Sequence, residues 1–68
     1  MLRIEVEREA DGRWLAEVPA LPGVLVYGAT RIEAQTKATA LALRVIADRI
    51  EHRETVPVDL ATIFLPRE

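Results

Sequence analysis

Apolar and polar residues alternate at the start of the chain, and this alternation predicts two half-buried β-strands. The apolar positions are Leu2, Ile4, Val6, Trp14, Ala16 and Val18. Asp11 and Gly12 lie between the two strands and predict a hairpin turn. A two-residue loop would place Val6 opposite Glu17. A three-residue loop over 10–12, with Gly12 at positive φ, places Val6 opposite Ala16 and keeps the apolar face together, so we predict this loop.

A loop and a third strand follow. Two prolines stiffen the segment 19–23, which predicts a rigid connection. Residues 24–29 form the predicted third strand, with alternate side chains directed toward a helix and Gly28 allowing a close backbone approach. Leu25 and Tyr27 are then expected on the opposite face of the sheet.

A long amphipathic helix is predicted from Thr30 to about His52. Thr30 and Glu33 have the spacing of a capping box, in which the hydroxyl of the first residue accepts from the amide of the second. The helix stripe consists of Ala34, Ala38, Leu41, Ala42, Val45 and Ile46, widened by Leu43, Ala47 and Ile50. Such a helix is roughly 33 Å long and a six-residue strand roughly 20 Å, so residues 43–50 are expected to overhang the sheet.

A linker over 54–59 and a fourth strand over 60–65, apolar on both faces, complete the expected fold. A right-handed crossover from the third strand would place the fourth strand beside the first. The predicted fold class is therefore α+β, with the order β-β-β-α-β and a four-stranded mixed sheet of order 3-2-1-4, covered by one helix on one face. Residues 1–68 are expected to form a single domain.

The composition restricts how so small a domain is stabilised. The chain has 68 residues, no cysteine and a single histidine, so disulfides and a structural zinc site are both excluded. Cores of this size often supply no more than about 3–5 kcal/mol. Half of the residues are hydrophobic. We therefore expect a homo-oligomer, either a dimer or a tetramer.

The charge and hydropathy of the chain exclude several further classes. A net charge of −2 gives no electrostatic reason to bind nucleic acid. The chain has no apolar run long enough for a membrane span, and its first residues alternate in polarity as no signal peptide does. We expect a cytoplasmic protein with no membrane contact and no cofactor.

The segment Trp14-Leu-Ala-Glu-Val-Pro-Ala-Leu-Pro-Gly23, followed by Tyr27-Gly-Ala-Thr30 and an alanine-rich helix from Glu33, resembles the HicB-like antitoxin family. The resemblance covers residues 2 to about 53. It implies a truncated RNase H-like fold that neutralises HicA, a small mRNA-cleaving toxin with a double-stranded-RNA-binding-type fold and a catalytic histidine. Many family members also carry a C-terminal DNA-binding domain, and this sequence is expected to correspond to a short form that lacks it.

The candidate partner-binding residues lie on the sheet face that points away from the helix. They are Glu5, Glu7, Leu15, Glu17, Leu25 and Tyr27, with Phe64 as a further apolar candidate. The glutamates, together with Arg3, are either a solvated face, which we favour, or an acidic patch that meets a basic toxin. The apolar residues are either core or an exposed interface patch, and we favour the interface.

Other residues have less specific interpretations. Trp14 is expected to pack at the core or its rim rather than to anchor a partner. The turn Leu21-Pro22-Gly23 is either a protein-contact loop or a device that sets strand register. No catalytic or metal-binding residue is predicted, because His52 is expected at a solvated helix end and the aspartates lie apart in sequence. These aspartates are Asp11, Asp48 and Asp59.

The sequence supports two hypotheses of different classes. The first is an antitoxin-like module that oligomerises and blocks a small RNase toxin by occlusion. The alternative is a stand-alone structural or regulatory homo-oligomer with no toxin. A third reading, a nuclease, is disfavoured because no carboxylate or histidine constellation supports it.

Overall fold

A computed structural model describes residues 2–59 of the chain. Strands β1 (Glu5–Arg8), β2 (Trp14–Glu17) and β3 (Leu25–Gly28) precede a helix, α1 (Arg31–Glu51). The strands form an antiparallel sheet of three strands in the order β1-β2-β3, and α1 packs on one face. The fold is therefore α+β.

The predicted four-stranded sheet of order 3-2-1-4 is wrong, since the sheet formed within residues 2–59 has three strands and all its pairings are antiparallel. The expected fourth strand, 60–65, lies outside the described residues. After the helix, Val56 and Val58 pack against the core as half-buried side chains of irregular backbone. An apolar pattern signals burial, and burial does not require pairing in a sheet. The preference for right-handed crossovers determines the position of a strand only if that strand joins the sheet.

The hairpin between β1 and β2 has the predicted register. Val6 lies opposite Ala16, and the loop 10–12 is closed by a hydrogen bond of 2.8 Å from the amide of Glu9 to the carbonyl of Arg13. Gly12 has a φ of 90°, the left-handed conformation that a three-residue hairpin loop requires at this position. Burial of the apolar side of both strands therefore selected the longer loop, as expected.

The helix begins and ends with distinct capping motifs. The Thr30 hydroxyl accepts a hydrogen bond of 3.0 Å from the amide of Glu33, which confirms the predicted start. At the other end, the amides of Arg53 and Glu54 donate to the carbonyls of Ile50 and Arg49. Arg53 adopts a φ of 58°, so a non-glycine residue occupies the left-handed position of this C-terminal motif.

The helix packs closely on β3 because Gly28 and the alanines of α1 have little or no side chain. Ala34 and Ala38 are fully buried, and they pack with Ala16 in the part of the core near the start of the helix. Trp14 and Val26 cover the edges of this cluster. The predicted packing role of Trp14 agrees with this half-buried position.

The second half of the helix, which was predicted to overhang the sheet, has a packing surface beyond the strands. The connection 19–23 turns under it, and Leu21 at 0% exposure packs in one cluster with Ala42 and Ile46. Hydrogen bonds from Leu21 to Val18 and from Val24 to Leu21 hold this turn. The turn therefore supplies a core residue, and strand length alone underestimated the surface on which the helix rests.

Candidate protein-binding surface

The outer sheet face is the side of the sheet opposite the helix, and the structure brings all six predicted partner-binding residues together on it. They form two cross-strand rows, Glu5–Glu17–Leu25 and Glu7–Leu15–Tyr27. Side chains directly opposite each other on neighbouring strands share a face and have Cβ atoms about 4.5–5.5 Å apart. The rows therefore make one contiguous surface, acidic toward β1 and apolar toward β3.

The apolar part of the outer sheet face is accessible to solvent. Leu25 is 47% exposed and Tyr27 is 39% exposed, although both belong to β3. Leu15, between the acidic and apolar sides, is half-buried. Large apolar side chains that remain exposed side by side on a sheet are a usual mark of a protein-contact surface.

The acidic part of the outer sheet face contains an unfavourable pair. Glu5 and Glu17 lie directly opposite each other on β1 and β2. Like charges in this relationship destabilise a sheet. Among the described residues, the ion pairs of Arg13, Lys37 and His52 all involve aspartate or glutamate residues outside this pair.

A cationic side chain covers the aromatic end of the outer sheet face. The Arg13 guanidinium lies 4.2 Å from the centroid of the Tyr27 ring. Asp11 holds this arginine through a side-chain contact of 2.7 Å and accepts a hydrogen bond of 3.0 Å from its amide. The Arg13 amide, followed by its guanidinium, holds the pKa of Asp11 below its ordinary value. Asp11, Arg13 and Tyr27 therefore form a stack at one end of the face.

The contact of Arg13 with Tyr27 was not predicted. The alternation of β2 puts Arg13 on the same face as Leu15. Asp11 precedes Arg13 by two residues in the hairpin turn, which is close enough for an ion pair. The direction of a long arginine side chain, however, depends on which neighbouring groups attract it. Here, the carboxylate two residues earlier and the aromatic ring on β3 together fix that direction.

A second apolar surface runs along the outer side of the helix and was not predicted. Ile32 is 76% exposed and Leu43 is 59% exposed, and they flank a shallow groove over one stretch of α1. The groove is lined by Ile32, Gln35, Thr36, Thr39, Ala40 and Leu43. These positions are spaced by three and four residues, which places them on one face of a helix. This spacing is the feature of the sequence that could have indicated the groove.

The remaining candidates occupy separate places. Leu21 is buried, so this residue of the turn packs in the core and is not available to a partner. His52 is exposed at the end of the helix, where its Nδ1 donates to the carbonyl of Asp48 at 2.7 Å. This hydrogen bond, followed by the charge of Asp48, raises the pKa of His52. Phe64 lies outside the described residues.

No group of three potential metal ligands comes together within residues 2–59. The same part of the chain contains no helix that is both long enough and apolar enough to cross a membrane. The outer sheet face itself offers carboxylates, a cation–aromatic stack and exposed apolar side chains.

Comparison of the chain with protein-family models, with curated proteins and with solved structures finds no match in any of the three.

Proposed function

We propose that this protein is an antitoxin-like binding module of the cytoplasm, which homo-oligomerises and neutralises a small mRNA-cleaving toxin of the HicA type by covering it. The observation that carries the proposal is the direct opposition of Glu5 and Glu17 beside an exposed apolar patch. A basic partner would relieve the charge opposition, and the apolar patch would give the complex a dry centre.

The electrostatic part of the argument follows from the position of the carboxylates. Glu5, Glu7 and Glu17 lie on neighbouring strands of one face, so their negative potentials add. An enzyme that binds RNA needs a positive surface for the phosphates. An acidic face attracts such a surface and increases the rate at which the two proteins meet. It also competes with RNA for the basic side chains of the toxin.

The apolar part of the argument concerns the lifetime of the complex. The apolar part of the outer sheet face consists of Leu15, Leu25 and Tyr27, and Arg13 is the charged residue that lies over it. Aromatic anchors near the middle of an interface commonly carry much of its binding energy. Tyr27 is the exposed aromatic residue on this face, and Arg13 already packs on its ring. We therefore assign Tyr27 to slow dissociation and the glutamates to fast association.

The resemblance to HicB-like antitoxins supports the same proposal from an independent direction. It rests on the Trp14–Gly23 and Tyr27–Thr30 segments, and the first of these contributes β2 and the buried turn around Leu21. The motif residues therefore include the strand that carries Leu15 and Glu17. No enzymatic activity of the protein's own enters the proposal.

A stand-alone homo-oligomer is the second candidate function. The exposed groove on the helix, between Ile32 and Leu43, favours it because the lining residues of this groove carry no charge that would select a basic toxin. In this case, the protein assembles with its own copies, and the outer sheet face has no basic partner.

A three-component assay tests the proposal. The components are a purified HicA-type toxin, its RNA substrate and this protein in confirmed excess. We expect the RNA to remain intact with the protein alone and with all three components, and to be cleaved by the toxin alone. Equal cleavage with and without the folded protein would contradict the antitoxin function and favour the stand-alone oligomer.

Charge-reversed variants identify the surface used. The double variant E5K/E17K keeps a like-charged pair and so has a stability similar to that of the parent, but its outer sheet face is basic. The control E51K/E54K makes the same change of net charge at the far end of the helix, where both glutamates are exposed. We expect E5K/E17K to lose protection of the RNA and the control to retain it. Equal protection by both variants would exclude the acidic face as the binding surface.

A further inference from the structure

The two edge strands of the sheet differ in how well they are protected from pairing with another strand. Strand β1 has the sequence EVER, in which charged residues occupy every position except Val6. Strand β3 has the sequence LVYG and carries no charge. Charged residues are a common means by which natural edge strands resist pairing, whereas an exposed apolar edge strand invites it.

The hydrogen-bonding pattern shows which groups of β3 point outward. The amide of Val18 donates to the carbonyl of Val24, so this pair bonds across β2 and β3. Bonded residues alternate along an antiparallel pair, so Val26 also points its backbone groups toward β2. The backbone groups of Leu25 and Tyr27 therefore point away from β2, and within residues 2–59 no strand lies on that side.

We propose that the β3 strands of two copies of this chain pair antiparallel, so that the two sheets join into one continuous sheet. The inference rests on the oligomer included in the proposed function and identifies the edge through which that oligomer forms. The register places Leu25 of each copy opposite Tyr27 of the other, and Val26 opposite its own counterpart at the two-fold axis. Leu25 and Tyr27 are the residues whose backbone groups face outward, so this register lets the Tyr27 amide of each copy donate to the Leu25 carbonyl of the other. The Leu25 amide already donates to the Gly23 carbonyl at 3.2 Å, so its bond to the second copy would be shared with that contact.

The side chains of the outer sheet face make this antiparallel pairing electrostatically complementary. One end of each β3 strand carries a cation, because Arg13 lies over Tyr27. The other end lies beside an anion, because Glu17 is directly opposite Leu25. The two-fold axis brings the cationic end of one copy next to the anionic end of the other. A parallel pairing would bring like ends together.

The pairing also has a consequence for the candidate protein-binding surface. Leu25 of the second copy would lie beside Tyr27 of the first, on the same face of the joined sheet. Each exposed apolar patch would then be extended by its neighbour, and the glutamates of β1 would lie at both outer borders. The surface offered to a partner becomes a symmetric apolar centre between two acidic borders, which neither copy presents alone.

Engineered disulfides test the edge directly, because the natural chain contains no cysteine. In the proposed register, the two Val26 residues form a non-hydrogen-bonded pair with Cα atoms about 4.5 Å apart. This separation is within the range of about 4.4–6.8 Å that disulfides span. V6C is a matched control, since Val6 is a half-buried edge-strand residue that also pairs with Ala16. We expect V26C to oxidise to a covalent dimer and V6C to remain monomeric on a non-reducing gel.

Sedimentation of the full chain without cysteines gives a second measurement. We expect a species of twice the 7.6 kDa chain mass. L25K would place a lysine beside the partner's Arg13 and should raise the dimer dissociation constant by about tenfold or more. I32K, which adds the same charge on the exposed helix surface, should leave that constant unchanged. Circular dichroism of both variants confirms that they are folded.

Three results would overturn the inference: a parent chain that sediments only as a monomer, efficient crosslinking of V6C instead of V26C, or loss of the dimer in I32K but not in L25K. The last result would assign the contact to the helix groove. None of these measurements uses a toxin. The β3 pairing and the antitoxin function are therefore tested separately, and either one can be contradicted while the other is supported.

Discussion

A side chain on Gly28 would collide with the backbone of Ala34. A Cβ built on Gly28 would lie 2.5 Å from the amide nitrogen of Ala34 and 2.9 Å from its Cα atom. These distances are too short for any side chain, and the atoms involved belong to the first turn of the helix. The contact therefore fixes how closely α1 approaches the end of β3.

We expect G28A to lower the free energy of unfolding by about 1–3 kcal/mol, the usual cost of overpacking a core. Urea denaturation followed by circular dichroism measures the change. The double variant G28A/A34G is the control, because it removes only the more distant contact of 3.1 Å with the Ala34 Cβ atom. Recovery of parental stability in the double variant would show that the side chain, and not the backbone, limits the approach.

The N-terminal cap gives a second prediction. T30A removes the hydroxyl that accepts from the Glu33 amide and should lower the free energy of unfolding by about 1 kcal/mol. T39A is a suitable control, because Thr39 is exposed within the helix and its hydroxyl donates to the carbonyl of Gln35. Removing that bond should change stability little. Equal effects of the two substitutions in thermal unfolding would contradict a specific capping role.

The left-handed residue at the end of the helix gives a third prediction. Arg53 has a φ of 58°, a conformation that costs a non-glycine residue roughly 1–2 kcal/mol. Glycine avoids this cost but loses more backbone entropy on folding, by about 0.5–1 kcal/mol. R53G should therefore raise the free energy of unfolding by about 0.5 kcal/mol, as measured by chemical denaturation. R53A, which retains the strain without the charge, should give no such gain.

The opposed glutamates predict a trade between stability and binding. E17Q removes the repulsion from Glu5 and should raise the free energy of unfolding by about 0.2–1 kcal/mol at low salt. E7Q is the control, because Glu7 lies opposite the uncharged Leu15 and should give no gain. The same E17Q variant should associate with a basic toxin more slowly, as measured by stopped-flow fluorescence. An equal gain in stability for the two variants would show that the direct opposition of Glu5 and Glu17 does not destabilise the sheet.

The single histidine allows a prediction about pH. Hydrogen bonding to the Asp48 carbonyl and the charge of Asp48 raise the pKa of His52 in the folded state. Protonation therefore favours the fold, and this contribution is complete below the unfolded pKa of about 6.5 and disappears as the pH rises through the higher folded value. We expect NMR titration to give a pKa above that of the unfolded chain. D48N should reduce the elevation only in part, since the backbone carbonyl remains.

The sequence predicted those parts of the fold that depend on local pattern. Alternation fixed the register of Val6 with Ala16 and placed Leu15, Leu25 and Tyr27 on one face. The capping residue Thr30 located the start of the helix. These features follow from the geometry of one strand or one helical turn, so neighbouring residues are sufficient to determine them.

Features that depend on distant parts of the chain were not predictable in the same way. The stacking of Arg13 on Tyr27 needs both hairpins in place before the rotamer of the arginine is determined. The burial of Leu21 depends on where the second half of the helix lies. The expected sheet of four strands was wrong, since the sheet of the described part of the chain has three, and the apolar pattern of a segment does not specify a pairing partner. Binding by the six residues of the outer sheet face stays a prediction.

The burial of Leu21 also decides where this small domain can accept new sequence. An epitope tag, a longer loop or new chain ends introduced by circular permutation would separate the Leu21 side chain from Ala42 and Ile46 if placed in the 19–23 connection. The 10–12 hairpin loop joins β1 and β2 within the sheet and contributes no buried side chain. Insertions are best tolerated at exposed loops of this kind. The β1–β2 hairpin is therefore the position at which this domain can be fused or diversified without loss of its core.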